Sequence, residues 1–416
     1  MPPMKVPQMP SMWMCIFDVA ARQPRDTPKK PCCSDSSATL FHSPCHPARS
    51  SPPPESRRDI HYIDSQDALD ALSSKLEQVE HVGFDTEFLR ERTYHPNLCL
   101  AQLAIDDEHF LIDPLSEIET DQFWPTLLGK ELTLHSGRQD LEVLLETTGQ
   151  LPELVYDTQI AAGIVGLPPQ VGYAKLVEMF CDVQLDKAHT RTNWSRRPLA
   201  EDVLAYAVDD VRYLAQVREA LAERAQTLGR SDWVIEDCED ILDRSKYDVA
   251  PSEAWTRLRG IRRLPYPVQQ RAMALSEWRE KEALRRNLPR QWVLRDEALI
   301  NLSFDNPKAV ADVGKVKGMD NRSAGRHGQS VVRVLGGDLP EPPTPTERPD
   351  NETRAIQKAM AKQVRELGVS LQLESEVLAP QRELKQAALG NHNLRALRGW
   401  RQPLLEPILA PLMPNA

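Results

Sequence analysis

The spacing of apolar positions changes several times along the chain, and each change marks a different kind of element. Between residues 65 and 80, Leu69, Leu72 and Leu76 recur at helical spacing behind Ser65, a residue type that favours the N-cap position. The pattern predicts an amphipathic helix near the start of the folded part of the chain.

Strand-like patterns come next. Short apolar runs are centred on Phe84 and cover 97–105 and 109–113, and a further run, 131–137, ends in a glycine just before a helical pattern. Helical periodicity then dominates from residue 157 to residue 228. Three consecutive strands followed by alternating helix and strand predict an α/β domain with a mixed sheet.

The second half of the chain reads as purely helical, with short amphipathic segments separated by prolines. A Pro-rich stretch divides this half in two. We therefore predict an N-terminal extension and three folded units joined by linkers, with the bounds 1–57, 58–230, 231–251 (linker), 252–337, 338–351 (linker) and 352–412.

The first 57 residues differ in composition from the rest of the chain. They hold twelve of the 34 prolines, together with clusters of Ser and Arg. This composition predicts a disordered segment, and an upstream extension from a wrongly assigned start codon is the alternative.

Charge and cysteine usage narrow the class of protein. The formal net charge is −10, which does not by itself indicate a nucleic-acid-binding protein. Residues 251–338, however, carry seventeen Lys and Arg against ten Asp and Glu, so one unit is basic while the remainder is acidic. Seven cysteines without a disulfide pattern, and the lack of an apolar run of membrane-spanning length, predict a cytoplasmic protein with no membrane partner.

Two carboxylates interrupt the strand-like run around Phe84. Asp85 and Glu87 stand two residues apart in "HVGFDTEFLRERTYHP" (81–96), so both point to the same face of the predicted strand. Like charges this close are costly unless a positive charge lies between them, and a divalent cation is the usual partner. The pair therefore indicates a metal site.

Two other segments can complete such a site. Asp140 lies in the first turn of the helix after the fourth strand-like run, where a helix N-terminus favours a carboxylate. Tyr206 and Asp210 stand one turn apart on a long helix predicted over 199–221. Asp209 lies about 100° around that helix from Asp210, so the spacing favours Asp210 as the residue that shares a face with Tyr206. Each position alone has an ordinary structural explanation, but their joint order favours a single site.

In this order the segments resemble a known family. "FDTEF", "HSGRQDLEVL" and "YAVDDVRYL" look like the three exonuclease motifs of the DEDD superfamily of 3′-to-5′ exonucleases, and the Tyr-x-x-x-Asp form marks its tyrosine-bearing branch. "RERTYHPNLCLAQLA", "LDKAHTRTNWSRRPL" and the helical region after Trp255 narrow the resemblance to the ribonuclease D family, over about residues 60–330. The N-terminal extension has no counterpart in that family.

The resemblance implies a fold for each unit. Residues 58–230 are expected to form a ribonuclease H-like exonuclease domain with a mixed sheet. Residues 252–337 are expected to form an all-α HRDC domain, a module that binds nucleic acid. Residues 352–412 look like a second, more divergent HRDC-like copy.

The resemblance also implies the residues that do the chemistry. Asp85, Glu87 and Asp210 would hold the ion that binds the attacking water, Asp85 and Asp140 would hold a second ion near the leaving 3′ oxygen, and Tyr206 would orient the water. The expected cofactor is a pair of divalent ions, Mg²⁺ or alternatively Mn²⁺.

Substrate contacts are less clearly marked in the sequence. The candidates are Thr86, Phe88, Lys187, Arg191 and Arg197. Trp194 is interpreted as a core residue rather than a base-stacking platform, and His135 as either a support of the site or a structural histidine. The basic surface of the HRDC-like unit is predicted to hold RNA without reading its sequence, through Arg257, Arg259, Arg262, Arg263, Arg285, Arg286 and Arg290.

The sequence thus predicts a 3′-to-5′ exoribonuclease that trims tRNA precursors and other RNAs with single-stranded 3′ ends, with no obligate protein partner. Two alternatives stay open. A DNA-directed exonuclease would carry the same catalytic motifs, because the contact to the ribose 2′-hydroxyl is not legible in sequence. A non-catalytic RNA-binding scaffold would keep the fold, although all five motif positions hold competent residues.

Overall fold

The structure is a computed structural model, and it describes residues 60–185, 192–248, 250–342 and 350–414. The predicted N-terminal extension, the segment that contains Lys187 and Arg191, and part of the Pro-rich linker lie outside the described residues.

Six strands form one mixed sheet. They are β1 (Ile60–Ile63), β2 (His81–Leu89), β3 (Asn97–Ile105), β4 (Glu108–Ile112), β5 (Glu131–Leu134) and β6 (Leu154–Asp157). Their order in the sheet is β1-β4-β3-β2-β5-β6, with antiparallel pairing among β2, β3 and β4 and parallel pairing elsewhere. The predicted mixed sheet is therefore confirmed. The sequence reading missed β1 and β6, since a strand of four residues is too short to show a period.

Helices account for most of the remaining elements. Those that accompany the sheet are α1 (Gln66–Leu76), α2 (Phe123–Leu128), α3 (Arg138–Thr148), α4 (Thr158–Ile164), α5 (Tyr173–Cys181), α6 (Glu201–Arg212), α7 (Leu214–Thr227) and α8 (Ser231–Asp240). Those that follow are α9 (Tyr266–Arg286), α10 (Arg290–Val293), α11 (Asp296–Asp305), α12 (Val310–Val313), α13 (Asn321–Leu335), α14 (Asn351–Leu371), α15 (Ser375–Leu378), α16 (Gln381–Ala388) and α17 (Gln402–Leu409). None of the helices in the described part of the chain has the length and apolar character needed to cross a membrane.

The single long helix predicted over 199–221 is wrong. The segment contains α6 and the first part of α7, which meet at Tyr213, whose backbone angles are φ −108° and ψ 7°. The Tyr213 N–H donates to the hydroxyl of Tyr173 at 3.0 Å, so a side chain of α5 receives a donor at the break. Helical periodicity continues across the break, which is why the sequence alone does not reveal it.

The described residues form two large hydrophobic cores and two smaller clusters, one of which includes Trp194 and Ala207. The helical region from Trp255 to Leu335 has its own core, which includes Leu275, Leu299 and Val331. The larger core lies under the sheet and also takes in apolar residues of α14–α17. The C-terminal helices therefore pack against one another, and their apolar residues are continuous with the core of the exonuclease domain.

The predicted linker 231–251 begins with an ordered and partly buried element. Val234 and Cys238 of α8 are each 2% exposed and belong to the larger core. Asp237, on the same helix, makes a two-pronged ion pair with Arg401, at 2.6 and 2.7 Å. Residues 231–240 are therefore part of the folded body, and α8 is the element to which the C-terminal helices attach.

Candidate active site

Three half-buried carboxylates come together where β2 meets α6. Ligand oxygens of Asp85, Glu87 and Asp210 all lie within 4.8 Å of one another, and this is the one group of that kind among the described residues. β2 is an inner strand, paired with β3 on one side and β5 on the other, so it places its side chains from the middle of the sheet. The site thus joins residues that are more than a hundred positions apart in the sequence.

The alternation of β2 explains how the strand holds two carboxylates. Phe84 and Thr86 are buried at 0% and 6% exposure, while Asp85 and Glu87 between and after them remain half-buried. The pairing with β3 shifts register between Glu87 and Phe88. One face of the strand therefore packs, and the other presents the acids.

Asp140 reaches the same region from the start of α3. The preceding turn is tied down by Asp157, whose carboxylate accepts the backbone N–H groups of Ser136 at 3.1 Å and Gly137 at 2.8 Å. A Cβ atom at Gly137 would lie 2.7 Å from Leu134, so the close approach of this turn to β5 requires glycine. These contacts fix where α3 begins and hence where Asp140 stands.

Thr86 orients the carboxylate of Asp140. Its hydroxyl donates to Asp140 Oδ1 at 2.5 Å, and its backbone N–H donates to the same oxygen at 3.1 Å. Asp140 is 8% exposed and lies outside the group formed by the other three acids. Asp140, the fourth predicted acid, therefore lies beside the group. Its Oδ1 accepts two hydrogen bonds from Thr86 of β2.

Burial raises the pKa values of all four acids, and repulsion by neighbouring carboxylates adds to this effect. Burial and then the charges of Asp140, Asp210 and Glu87 hold the pKa of Asp85 well above its usual value. Burial and the nearby acids raise the pKa of Glu87 to about 8 and that of Asp210 to about 7. For Asp140, burial raises the pKa to about 6 against the opposing effect of the Thr86 hydrogen bonds.

This donor set fits a divalent cation. Hard cations such as Mg²⁺ take carboxylate oxygens together with water and substrate oxygens. Among the described residues no Lys or Arg forms an ion pair with Asp85, Glu87 or Asp210, and a bound cation would favour the ionised forms of these acids, whose pKa values are raised. Asp85, Glu87 and Asp210 are the residues placed to hold it.

Tyr206 lies close enough to the acidic group to be affected by its charge, whereas Asp209 is not part of that group, as the helical spacing predicts. Tyr206 is half-buried on α6, and its ring centroid lies 6.4 Å from that of Trp194. Burial and then the charges of Asp210, Glu87 and Asp85 raise the pKa of the Tyr206 hydroxyl to about 12. Asp209 instead pairs with Arg212 at 3.2 Å and lies outside the acidic group.

Arg197, a predicted substrate contact, has several partners within the protein. Its guanidinium donates to both oxygens of Asp113, at 2.5 and 2.6 Å, and to the backbone carbonyls of Trp194, Arg196 and Cys99. These bonds use its donors and tie the segment before α6 to the end of β4, and the phosphate contact stays a prediction that this arrangement does not support.

The other predicted substrate contacts have different outcomes. Thr86 is buried against Asp140, so its side chain supports an acid of the site rather than facing a nucleotide. Phe88 is half-buried and packs against the larger core. Lys187 and Arg191 lie outside the described residues. Trp194 is 5% exposed and belongs to a core cluster, as expected.

His135 and Asp157 have structural partners. His135 Nδ1 lies 2.9 Å from the Thr158 hydroxyl, and burial lowers the pKa of its imidazole. Asp157 accepts from the N–H groups of Gln159 and Ile160 and is the N-cap of α4. The sequence reading missed Asp113, which follows β4 and holds Arg197; an acid directly after a buried strand was the available signal.

The basic surface predicted for the helical region is partly neutralised by its own acids. Arg257 and Arg290 lie 3.0 and 3.4 Å from Glu280, whose side chain is fully buried. Arg285 and Arg286 pair with Glu282 at 2.8 and 3.6 Å. The seven arginines therefore do not act as one uniform basic face, because four of them also bind carboxylates of α9.

The fold and this site define a class of protein. A family model described as 3′-5′ exonuclease matches residues 60–226, and a model of the HRDC domain matches residues 268–335. The sheet with its acidic group lies inside the first range, and the separate helical core coincides largely with the second.

Comparisons over longer stretches identify the family within that class. A ribonuclease D of Gluconacetobacter diazotrophicus is 34% identical over 82% of this chain and 89% of the relative, and one of Sphingobium indicum is 38% identical over 62% and 67%. The crystal structure of Escherichia coli RNase D, described as an exoribonuclease involved in structured RNA processing, matches with a TM-score of 0.78. It is 29% identical and covers 85% of this chain and 98% of that one. The chain belongs to the ribonuclease D family and is a 3′-to-5′ exoribonuclease.

Proposed function

We propose that the chain is a metal-dependent exoribonuclease that releases nucleoside 5′-monophosphates, and that the 3′ ends of tRNA precursors and other structured RNAs are its substrates. The observation that carries the metal dependence is the group of three carboxylates within 4.8 Å. The family match and the description of the Escherichia coli relative support RNA as the substrate class.

In this proposal the positions of the acids decide which divalent ion each of them binds. Asp85, Glu87 and Asp210 would hold one divalent ion, and Asp140, whose carboxylate is oriented by Thr86, would join Asp85 in holding a second. When bound, such ions, Mg²⁺ by their preference for carboxylate and water oxygens, activate water and neutralise charge on the leaving oxygen.

Tyr206 would orient the attacking water. A tyrosine hydroxyl is protonated at neutral pH, and the raised pKa of Tyr206 extends this to alkaline pH, so the side chain can orient a water molecule through a hydrogen bond without taking a charge. Its place one turn from Asp210 brings that hydroxyl to the same face of α6 as the acid.

The helical unit is proposed to bind the RNA. The HRDC-domain match supports a role in holding the RNA strand while its 3′ end is cleaved.

A cytoplasmic location is consistent with Cys99, Cys181 and Cys238, which are all free thiols in the structure.

The test uses a hairpin RNA with a single-stranded 3′ extension, a tRNA precursor with extra 3′ residues, and single-stranded DNA of matched length. We expect stepwise release of 5′-mononucleotides from both RNAs with Mg²⁺, and loss of release with EDTA. Turnover on DNA at an equal or higher rate would overturn the RNA assignment, and release that survives EDTA would overturn the metal dependence.

Neighbouring aspartates supply a matched pair of variants. Asp210→Asn removes a ligand from the acidic group, so kcat on the hairpin RNA should fall by at least about a thousandfold. Asp209→Asn changes an acid of the same helix that pairs with Arg212 instead, and kcat should stay within about threefold of the wild type. Equal losses in the two variants would mean that the wrong acid has been assigned.

A further inference from the structure

The loop between β2 and β3, residues 90–96, connects the catalytic strand to other parts of the molecule. We call it the junction loop. It leaves β2 at Leu89, two residues after Glu87. On one side it is bound to α3, the helix that carries Asp140. Arg90 Nη2 lies 2.8 Å from Glu142, and His95 Nδ1 lies 2.6 Å from Glu146.

On its other side the junction loop is bound to the end of α9 in the helical unit. The side-chain oxygen of Asn287 accepts the backbone N–H groups of Tyr94 and His95, at 3.0 and 3.1 Å. The hydroxyl of Tyr94 donates to Glu280 at 2.5 Å, and the guanidinium of Arg290 lies 5.7 Å from the centre of the Tyr94 ring. The loop therefore has fixed partners in both units.

The bonds of Glu280 restrict how the two units can be placed against each other. Its side chain is fully buried, and it receives Arg257 at 3.0 Å, Arg290 at 3.4 Å and the Tyr94 hydroxyl. Buried ion pairs contribute little net stability compared with apolar packing, but removal of one partner leaves an uncompensated charge. The Tyr94 hydroxyl adds a donor from the other unit to this buried carboxylate, and that hydrogen bond forms only when the two units have this relative placement.

The junction loop also shapes a cleft next to the catalytic strand. This cleft has a volume of about 1120 Å³, and its lining includes Leu89 at the end of β2, Thr93 and His95 of the loop, and Glu146 of α3. Because the loop forms part of the wall, a shift of the loop changes the space beside the strand that carries Glu87.

We propose that Tyr94, Asn287 and Glu280 are positioning residues that hold the helical unit in a fixed placement against the catalytic strand. An RNA that spans both units is then presented with its 3′ end at the acidic group, whereas a very short RNA needs only the acidic group. This inference rests on the proposed function, because it assumes that the helical unit holds the RNA strand.

Asn287→Gly is the most direct test. Asn287 has φ 47° and ψ 50°, a left-handed conformation that glycine adopts readily, so the end of α9 is kept while both hydrogen bonds to the junction loop are lost. For a hairpin RNA with a long 3′ extension we expect KM to rise about tenfold with kcat within about twofold of the wild type. For a trinucleotide we expect both constants to be unchanged.

Two further variants separate positioning from general damage. Asn306→Gly changes another helix-end Asn in the left-handed region, φ 45°, whose side chain contacts Lys308 within the helical unit, and it should leave both substrates unaffected. Asn287→Asp keeps an oxygen acceptor for the two N–H groups and should restore most of the KM on the long RNA.

Three outcomes would overturn the inference: equal losses on the trinucleotide and the long RNA, no loss on either, or no restoration by Asn287→Asp. Small-angle scattering gives a readout that does not depend on catalysis, because Asn287→Gly should increase the radius of gyration relative to the wild type and to Asn306→Gly. If the wild type lacked nuclease activity, the proposed function would fail while the scattering comparison would still test the junction.

Discussion

The acids of the site are held in place by different structural features, and these features differ in how clearly the sequence shows them. Asp85 and Glu87 share a face because of the strand period, and Asp210 faces them because it lies one turn from Tyr206. Asp140 depends on a hydrogen bond from Thr86, a residue 54 positions away. The strand and helix relations are periodic and could be predicted, whereas the hydrogen bond to Asp140 is a tertiary contact with no local pattern.

The Thr86 contact can be tested by a change that keeps the shape of the side chain. Thr86→Val removes the hydroxyl that donates to Asp140 Oδ1 while it preserves the branched, buried side chain. Partners that orient metal ligands typically contribute about 10- to 100-fold to metal affinity or activity, so we expect a loss in that range. The measurement is kcat on the hairpin RNA as a function of Mg²⁺ concentration.

Thr86→Ser is the matched control, because it retains the hydroxyl and the backbone donor. Its kcat should lie within about threefold of the wild type, the remaining loss reflecting one missing methyl group. A Thr86→Val enzyme with wild-type kcat and metal dependence would show that the backbone N–H of residue 86 orients Asp140 on its own.

At the scale of elements, the sequence predicted most helices and strands but not the break between α6 and α7. The apolar spacing runs through Tyr213, and no Gly or Pro marks the position. The break is stabilised by the hydroxyl of Tyr173, which lies 40 residues earlier on α5. Periodicity reports which face of a helix is buried, but it does not report a side chain from elsewhere that receives one of its N–H groups.

The break has a measurable energetic consequence. Tyr173→Phe removes the acceptor of the Tyr213 N–H and keeps the ring, which packs near His135. Loss of a partner for a partly buried backbone donor should lower the free energy of unfolding by about 1 kcal/mol. Urea denaturation followed by circular dichroism measures the change.

Tyr156→Phe provides the comparison within the same fold. The Tyr156 hydroxyl is buried and has no hydrogen-bond partner among the described residues, while its ring contacts Arg218. Removal of an unpaired hydroxyl should therefore be neutral or slightly stabilising, within about 0.5 kcal/mol. A larger loss for Tyr156→Phe than for Tyr173→Phe would contradict the assignment of the Tyr173 hydroxyl to the break.

At the scale of the whole molecule, the division into units follows composition only in part. The HRDC-like region has a separate core, in line with its basic and Pro-bounded sequence. The C-terminal helices look equally separate in sequence, yet they share the exonuclease core through α8. The residues responsible, Asp237 and Arg401, are 164 positions apart, and a charged residue in a polar helix gives no sign that it will be buried.

The ion pair between these residues predicts a strong dependence of stability on Asp237. Arg401 is 1% exposed and bonds both Asp237 oxygens, so Asp237→Asn leaves a buried guanidinium without its counter-charge. The free energy of unfolding should fall by about 3–5 kcal/mol at pH 7, measured by urea denaturation. Asp240→Asn, on the same helix but half-exposed and paired with Lys246, should cost less than about 1 kcal/mol.

The same pair predicts how this difference varies with pH. Burial alone would raise the pKa of Asp237, but the hydrogen bonds and charge of Arg401, with Arg395, hold it below its usual value. Because the folded pKa is lower than the unfolded value of about 3.9, the stabilisation is complete above that pH and is lost as the pH falls through the folded pKa. The difference in unfolding free energy between the wild type and Asp237→Asn should therefore be constant from pH 8 to about pH 5 and shrink below about pH 4. A difference that instead declines near neutral pH would show that another group controls the contact between α8 and the C-terminal helices.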